Sequence, residues 1–291
     1  MELSQLNMFK VVAEQGSIVR ASELLHCVPS NITNRIKLLE QELGVSLFIR
    51  QGRGLVISPS GKLFLGYTNI ILSLCQEARG ALDPGAEPAG VLNIGAIESS
   101  ATGRLPKLLS RFHQHHPAVQ MQFSTGVWSQ LVNDVLAYKL DGAVIAVKNQ
   151  HPDIEHMEIY KEELVLIASP RLGKIHTPQD LRGKALFMWP EGCPYRTALT
   201  SWLGEHRVPA AITSIASYGT ILGCVSAGAG VSLVPRGVFE QFRMIGDLEG
   251  HTFAELMPVQ NYFIWNRHST AHRARDAFAD LLEDEFKPIA P

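Results

Sequence analysis

Apolar residues near the start of the chain recur every three or four positions, a spacing that predicts amphipathic helices. Leu3, Leu6, Phe9, Val12 and Ala13 form one such stripe, and Gln15-Gly16 marks its end. Ser17 is placed to cap a second helix burying Ile18, Ala21, Leu24 and Leu25. After the short turn His26-Cys27-Val28, Pro29 opens a third helix with apolar face Ile32, Ile36, Leu39 and Leu43, closed by Gly44. Two short helices, a tight turn and a third helix make a helix-turn-helix pattern. Leu47 to Ile57 then predicts a wing of two short strands around a Gly-rich turn that carries Arg53.

From Ser58, a cap, and Pro59, a first-turn residue, one long helix runs to residue 80. Its stripe Leu63, Tyr67, Ile70 and Leu74 has the spacing of a two-stranded seam. A second apolar edge, Phe64, Ile71 and Cys75, means that the rod packs on its own domain or pairs with a copy; pairing is the favoured reading. Residues 81–90 are small and Pro-rich, as in a hinge. Residues 91–291 alternate strand and helix patterns, including the wholly apolar Ala143 to Val147, expected in a buried parallel sheet. The expected division is therefore 1–58, 59–80, 81–90 and 91–291. The last part is an α/β region with one lobe of residues 91–163 and 268–291 and another of 164–267.

The third helix carries the candidate chemistry. At about 100° per residue, Ser30, Asn34, Lys37 and Gln41 oppose its apolar face, flanked by Asn31, Thr33 and Arg35. Asn can bond adenine in two places, Ser and Thr bond bases or phosphates, and Lys and Arg neutralise phosphates. Between residues 29 and 62, Arg35, Lys37, Arg50, Arg53 and Lys62 face two carboxylates, a local +3. The competing reading is a solvated helix of an ordinary bundle; the adjacent wing argues against it.

Composition changes the picture mainly by exclusion. The 291 residues hold 26 Lys and Arg against 28 Asp and Glu, so whole-chain charge does not point to nucleic acid. Four separated cysteines form no CxxC pair, and no basic-then-apolar leader or membrane-length apolar run is visible, which fits a reducing cytoplasm and no membrane partner. No P-loop, dinucleotide-binding glycine motif or nucleophile elbow is present, so no enzyme, cofactor or metal is expected. His113, His115 and His116 run into Pro117 and read as a solvated helix end. Cys193 beside Arg196 reads as a packed thiol, with a redox switch the less favoured alternative.

Ligands in α/β sheets sit beyond the carboxyl ends of strands. That rule selects Glu98, Ser99, Ser100 and Thr102 after one strand, Thr125 and Gly126 after the next, then Cys193, Tyr195 and Arg196, then Tyr218, Gly219 and Thr220. Such a set suits a small polar metabolite: Arg196 for a carboxylate, Glu98 for an amine. The alternative is that the hydroxyls merely cap helices.

Residues 1–65 resemble the DNA-binding region of LysR-type transcriptional regulators. The segments that carry the resemblance are Leu6 to Ser17, Ala21-Ser22-Glu23-Leu24-Leu25, and Leu39 to Phe48. It extends more weakly over the whole chain. Within the family, Val28-Pro29-Ser30-Asn31 and Gly192 to Arg196 are most similar to a subgroup that includes a putrescine-utilisation regulator. The resemblance implies a winged helix-turn-helix, a dimerising linker helix, and an effector domain like a periplasmic binding protein, with the four strand-end segments facing a cleft. It implies promoter DNA and a small-molecule effector as partners, with RNA polymerase as a further one and a homodimer that doubles to a homotetramer; the strand-end residues suit an effector that is an amine, amino acid or organic acid. One departure stands out: where the family has a Ser cap and then Gln-Pro, this chain has Val28, Pro29 and Ser30, and the family's later Ser and Arg correspond to Thr33 and Asn34. The DNA-binding set is then Ser17, Pro29, Ser30, Asn31, Thr33, Asn34, Arg35, Lys37, Arg50 and Arg53. The alternatives are an enzyme or solute-binding domain with an accessory head, and a nonspecific architectural DNA binder.

Overall fold

The computed structural model describes residues 1–51, 54–81, 87–243, 247–269 and 272–286, which form two compact units. The first unit contains α1 (Leu3–Gln15), α2 (Ile18–Leu24), α3 (Pro29–Leu43), β1 (Phe48–Gln51), β2 (Gly54–Ile57) and α4 (Pro59–Ala81). Gly16 and Gly44, in the left-handed conformation, end α1 and α3. The Ser17 side chain accepts the Arg20 N–H and caps α2. At the start of α4, Ser58 Oγ accepts the Gly61 N–H at 2.9 Å and donates to the Ser46 carbonyl at 2.6 Å, tying the helix to the connection between α3 and β1.

The core of this unit is drawn from the set that the spacing selects: Leu6, Phe9, Val12, Ala21, Ile32, Ile36 and Leu39 are buried, joined by Leu47 at the start of the wing. Phe9 joins three elements, because its ring centroid lies 5.5 Å from that of Phe48 on β1 and 5.3 Å from that of Phe64 on α4. Two expected core residues face outward. Leu3 begins α1 and is exposed, and Leu24 lies outside the sector of α2 defined by Ile18, Ala21, Ser22 and Leu25. On α4, Phe64 packs inward, whereas Leu63, Tyr67 and Leu74 are exposed and Ile70 is half-buried. Of the expected hinge, residues 82–86 lie outside the described residues, as does Arg53; Arg50 is placed only by its backbone on β1.

The second unit begins with β3 (Gly90–Ala96), α5 (Glu98–Gly103), α6 (Leu105–His115), β4 (Val119–Thr125), α7 (Trp128–Leu136), β5 (Gly142–Ile145) and β6 (Ile154–Glu162). It continues with β7 (Leu164–Ala168), β8 (Ala185–Met188), α8 (Pro194–Glu205), β9 (Ala211–Ser214), α9 (Tyr218–Ser226), β10 (Val231–Pro235), α10 (Arg236–Phe242), β11 (Glu249–His251), β12 (Val259–Asn266) and α11 (Arg273–Phe286). Two five-stranded sheets result, ordered β4-β3-β5-β12-β6 and β11-β7-β10-β8-β9.

Both sheets are mixed. The apolar strand β5 is parallel to β3 but antiparallel to β12, which corrects the all-parallel expectation. The reason is β12: the chain re-enters the first sheet there, so Val259–Asn266 belongs with the first lobe although the sequence division assigns it to the second. The long β6, which the sequence reading passed over, borders β12 along its whole length. The strand β7 is apolar throughout because both faces are covered. Leu164, Leu166 and Ala168 pack with Leu199 and Trp202 of α8, while Val165 and Ile167 pack with Ile221 and Val225 of α9.

The chain crosses between lobes at Glu162 to Leu164, and there α5 meets α10 backbone to backbone. A Cβ on Gly103 would lie 2.6 Å from the Gly237 carbonyl carbon, so only glycine permits this approach. Beside it, Arg104 Nε and Nη2 each donate to Glu162 at 2.8 Å, and the Gly237 N–H donates to the same carboxylate at 3.1 Å. Among the described residues, no helix is long and apolar enough to cross a membrane.

Candidate nucleic-acid interface and ligand cleft

The helix α3 separates its faces sharply. Ile32, Ile36 and Leu39 are buried, while Ser30, Asn31, Asn34, Lys37 and Gln41 are exposed. Pro29 occupies the first turn, and Val28 precedes it without a side-chain cap. Not all of the expected polar set is equally available. Thr33 Oγ1 donates to the Pro29 carbonyl at 2.9 Å, so its proton is committed to its own helix. Arg35 pairs with Glu2 at 2.6 Å; both are exposed, and a pair of this kind is worth about 0–1 kcal/mol, little against a phosphate competitor. Ser17 serves as the α2 cap. A residue that sequence reasoning left aside, Glu40, braces the wing: its carboxylate accepts the Leu47 N–H at 2.7 Å and the Phe48 N–H at 3.3 Å.

In the second unit a cavity of about 150 Å³ opens between the lobes. Its walls contain Glu98 and Ser99 from α5, Gly126 and Trp128 from the end of β4 and the start of α7, Trp189 to Tyr195 from the second lobe, and Tyr218 from α9. The strand-end rule therefore brings together Glu98, Ser99, Gly126, Cys193, Tyr195 and Tyr218. Ser99 Oγ lies 3.2 Å from the Tyr195 hydroxyl, bridging the lobes. The Trp128 indole N–H donates to the Gly192 carbonyl at 3.1 Å, a second bridge. Trp189 stacks on Tyr218 with centroids 4.8 Å apart. Burial holds the Tyr195 and Tyr218 hydroxyls well above the ordinary phenol range, so both remain protonated.

Other expected members point elsewhere. Arg196 is outside the cavity wall: it donates to Ser214 Oγ at 2.7 Å and to the Trp189 carbonyl at 3.3 Å. It also pairs with the wall residue Glu191 at 3.6 Å. Ser100 is buried and accepts the Tyr160 hydroxyl at 2.8 Å. Thr102 is 3.4 Å from Glu98, and Thr220 is occupied with Ser217 at the α9 cap. Thr125 and Gly219 are not among the wall residues. Cys193 is buried, and burial pushes its thiol up despite the nearby Arg196 and the N–H groups of Tyr195 and Arg196 directed at it. Burial of this kind disfavours the thiolate. Wall residues absent from the expected set include Trp128, Ser129, Trp189 and Glu191; the signal was close at hand, since the rule stopped at Gly126, two residues before Trp128.

A head with a winged helix-turn-helix and a two-lobed α/β unit enclosing a cleft defines a one-component sensor-regulator architecture. Residues 3–62 match the model described as bacterial regulatory helix-turn-helix protein, lysR family, and residues 85–287 match the LysR substrate binding domain. The chain belongs to the LysR family of transcriptional regulators, with its DNA-binding and substrate-binding domains. It is 38% identical to the uncharacterized HTH-type transcriptional regulator YusT of Bacillus subtilis, covering 99% of this chain and 96% of that one. It is 33% identical to the HTH-type transcriptional regulator GltR of the same organism, covering 100% and 99%. Among solved structures, a full-length OxyR variant from Pseudomonas aeruginosa superposes with a TM-score of 0.79 at 23% identity, covering 97% of this chain and 98% of that one. CbnR, a LysR family transcriptional regulator, superposes at 0.71 and 23% identity, covering 99% and 100%.

Proposed function

We propose that this regulator reads duplex DNA with the exposed ridge of α3, seated in the major groove, and that occupation of the interlobe cleft by a small polar metabolite changes how the promoter is bound. The observation that carries this reading is the exposed row Ser30, Asn31, Asn34 and Lys37 on the side of α3 opposite three buried aliphatic residues. Asn34 and Asn31 supply base-edge hydrogen bonds, and Lys37, Arg35, Arg50 and Arg53 supply phosphate contacts. Glu40 braces the start of the wing through the Leu47 and Phe48 N–H groups.

The exposed stripe Leu63, Tyr67 and Leu74, with Ile70, supports pairing of two chains through α4, and pairs of pairs give the tetramer. Two α3 helices then enter successive major grooves about 34–36 Å apart. Ligand binding biases the equilibrium between two arrangements of the paired sensor units by its differential affinity for them. The protein acts in the cytoplasm as a regulator and not as a catalyst; the relatives named as transcriptional regulators support this. RNA polymerase is the downstream partner.

Selection of a random duplex library by the full-length protein tests the reading. Enrichment of a two-fold symmetric motif with half-sites about one helical turn apart is expected. Uniform recovery of all sequences contradicts it.

A further inference from the structure

We infer that the cleft ligand is an organic cation, a small ammonium-bearing molecule without a carboxylate; this rests on the cleft being the effector site. Glu98 and Glu191 both line the cavity, and among the described residues of its wall there is no Lys, Arg or His. The Arg196 guanidinium, which is not part of the wall, donates to Ser214 and the Trp189 carbonyl and pairs with Glu191 at 3.6 Å. Glu98 has no such cation: its contact is the Thr102 hydroxyl at 3.4 Å.

The remaining walls match a cation as well. Trp128, Trp189, Tyr195 and Tyr218 bring four aromatic side chains to one cavity, and the faces of such rings attract ammonium groups. One donor that could receive an anion is already used: the Trp128 indole N–H is spent on the Gly192 carbonyl. A carboxylate entering here would meet the like charge of Glu98 with no cationic side chain among the described residues of the wall, which is the costly case for a desolvated ion. An ammonium finds a carboxylate acceptor in Glu98 and apolar, π-rich walls for its hydrocarbon part.

The test compares n-butylammonium, gamma-aminobutyrate and butyrate, which share a four-carbon chain and differ in charged ends. Full-length protein is titrated with each by calorimetry and by thermal shift at matched ionic strength. Saturable binding of n-butylammonium is expected, weaker binding of gamma-aminobutyrate, and none of butyrate. Glu98→Gln should weaken the ammonium by about 10- to 100-fold, the range of a hydrogen bond to a charged group. Glu98→Asp, which keeps the charge, should recover part of that loss, and Arg196→Gln should leave ammonium binding in place. Butyrate binding that is lost on replacing Trp128 would overturn the cation inference while keeping the cleft as effector site. Failure of n-butylammonium to bind at millimolar concentration, or equal binding by the Glu98→Gln variant, would overturn it outright. Ammonium binding unaffected by any cleft substitution would overturn the effector-site reading too.

Discussion

Phe9→Ala is expected to lower the stability of the N-terminal unit by about 3–5 kcal/mol and to abolish DNA binding. The ring is fully buried and meets Phe48 and Phe64, so its loss opens a cavity where α1, the wing and α4 converge. Those elements hold α3 at its angle, since Leu39 and Leu47 share the same cluster with Phe9. The effect can be localised spectroscopically. All four tryptophans, at 128, 189, 202 and 265, lie in the second unit, so tryptophan fluorescence should report an unchanged transition while far-ultraviolet circular dichroism loses helical signal at lower denaturant. A cost under about 1 kcal/mol would mean that Phe9 is not the keystone of the head.

Arg104→Ala should have the next largest effect, about 3 kcal/mol, this time on the tryptophan-reported transition. Glu162 is 3% exposed, whereas Arg104 is 28% exposed. Removing the guanidinium strands a buried carboxylate with the Gly237 N–H and removes the cation over the Tyr160 ring. The lower end of the range for broken buried pairs is expected because water reaches the arginine side. Replacing both partners together, Arg104→Met with Glu162→Leu, should cost less than Arg104→Ala alone, because no charge is then left uncompensated. Because the pair sits where the chain crosses between lobes, the single variant should also blunt any response of DNA binding to ligand. A double variant as unstable as the single one would point to lost packing instead of a stranded charge.

Local rules were enough for the head. Gly16, Ser17, Pro29, Gly44, Ser58 and Pro59 stand where caps and first turns need them, and the aliphatic positions at intervals of three and four are the ones that pack. Leu24 escaped because a seven-residue helix has too little length to define its face. In the sensor unit the strands were visible one at a time, but their partners were not. That β12 returns to the first sheet depends on pairing across about a hundred residues, which no local pattern encodes. The cleft followed the same division. Strand-end logic found Glu98, Ser99, Tyr195 and Tyr218, because backbone topology alone places them. The same logic could not foresee that Arg196 turns back to Ser214, since the direction of a long side chain is decided by neighbours remote in sequence. Of the expected amine, amino acid or organic acid, the proposal of a cation keeps only the amine, in part because of where Arg196 turns.

The most direct test of the DNA-reading assignment uses the duplex enriched from the random library and compares Asn34→Ala with Lys37→Ala by fluorescence anisotropy across a salt series. Asn34→Ala should relax discrimination at one base pair per half-site by about 1–3 kcal/mol and leave the salt slope unchanged. Lys37→Ala should weaken enriched and random duplexes alike and flatten the dependence on salt by about one counterion per head. Binding by both variants that matches the parent protein in sequence preference and in salt dependence would contradict the assignment of the α3 ridge to DNA.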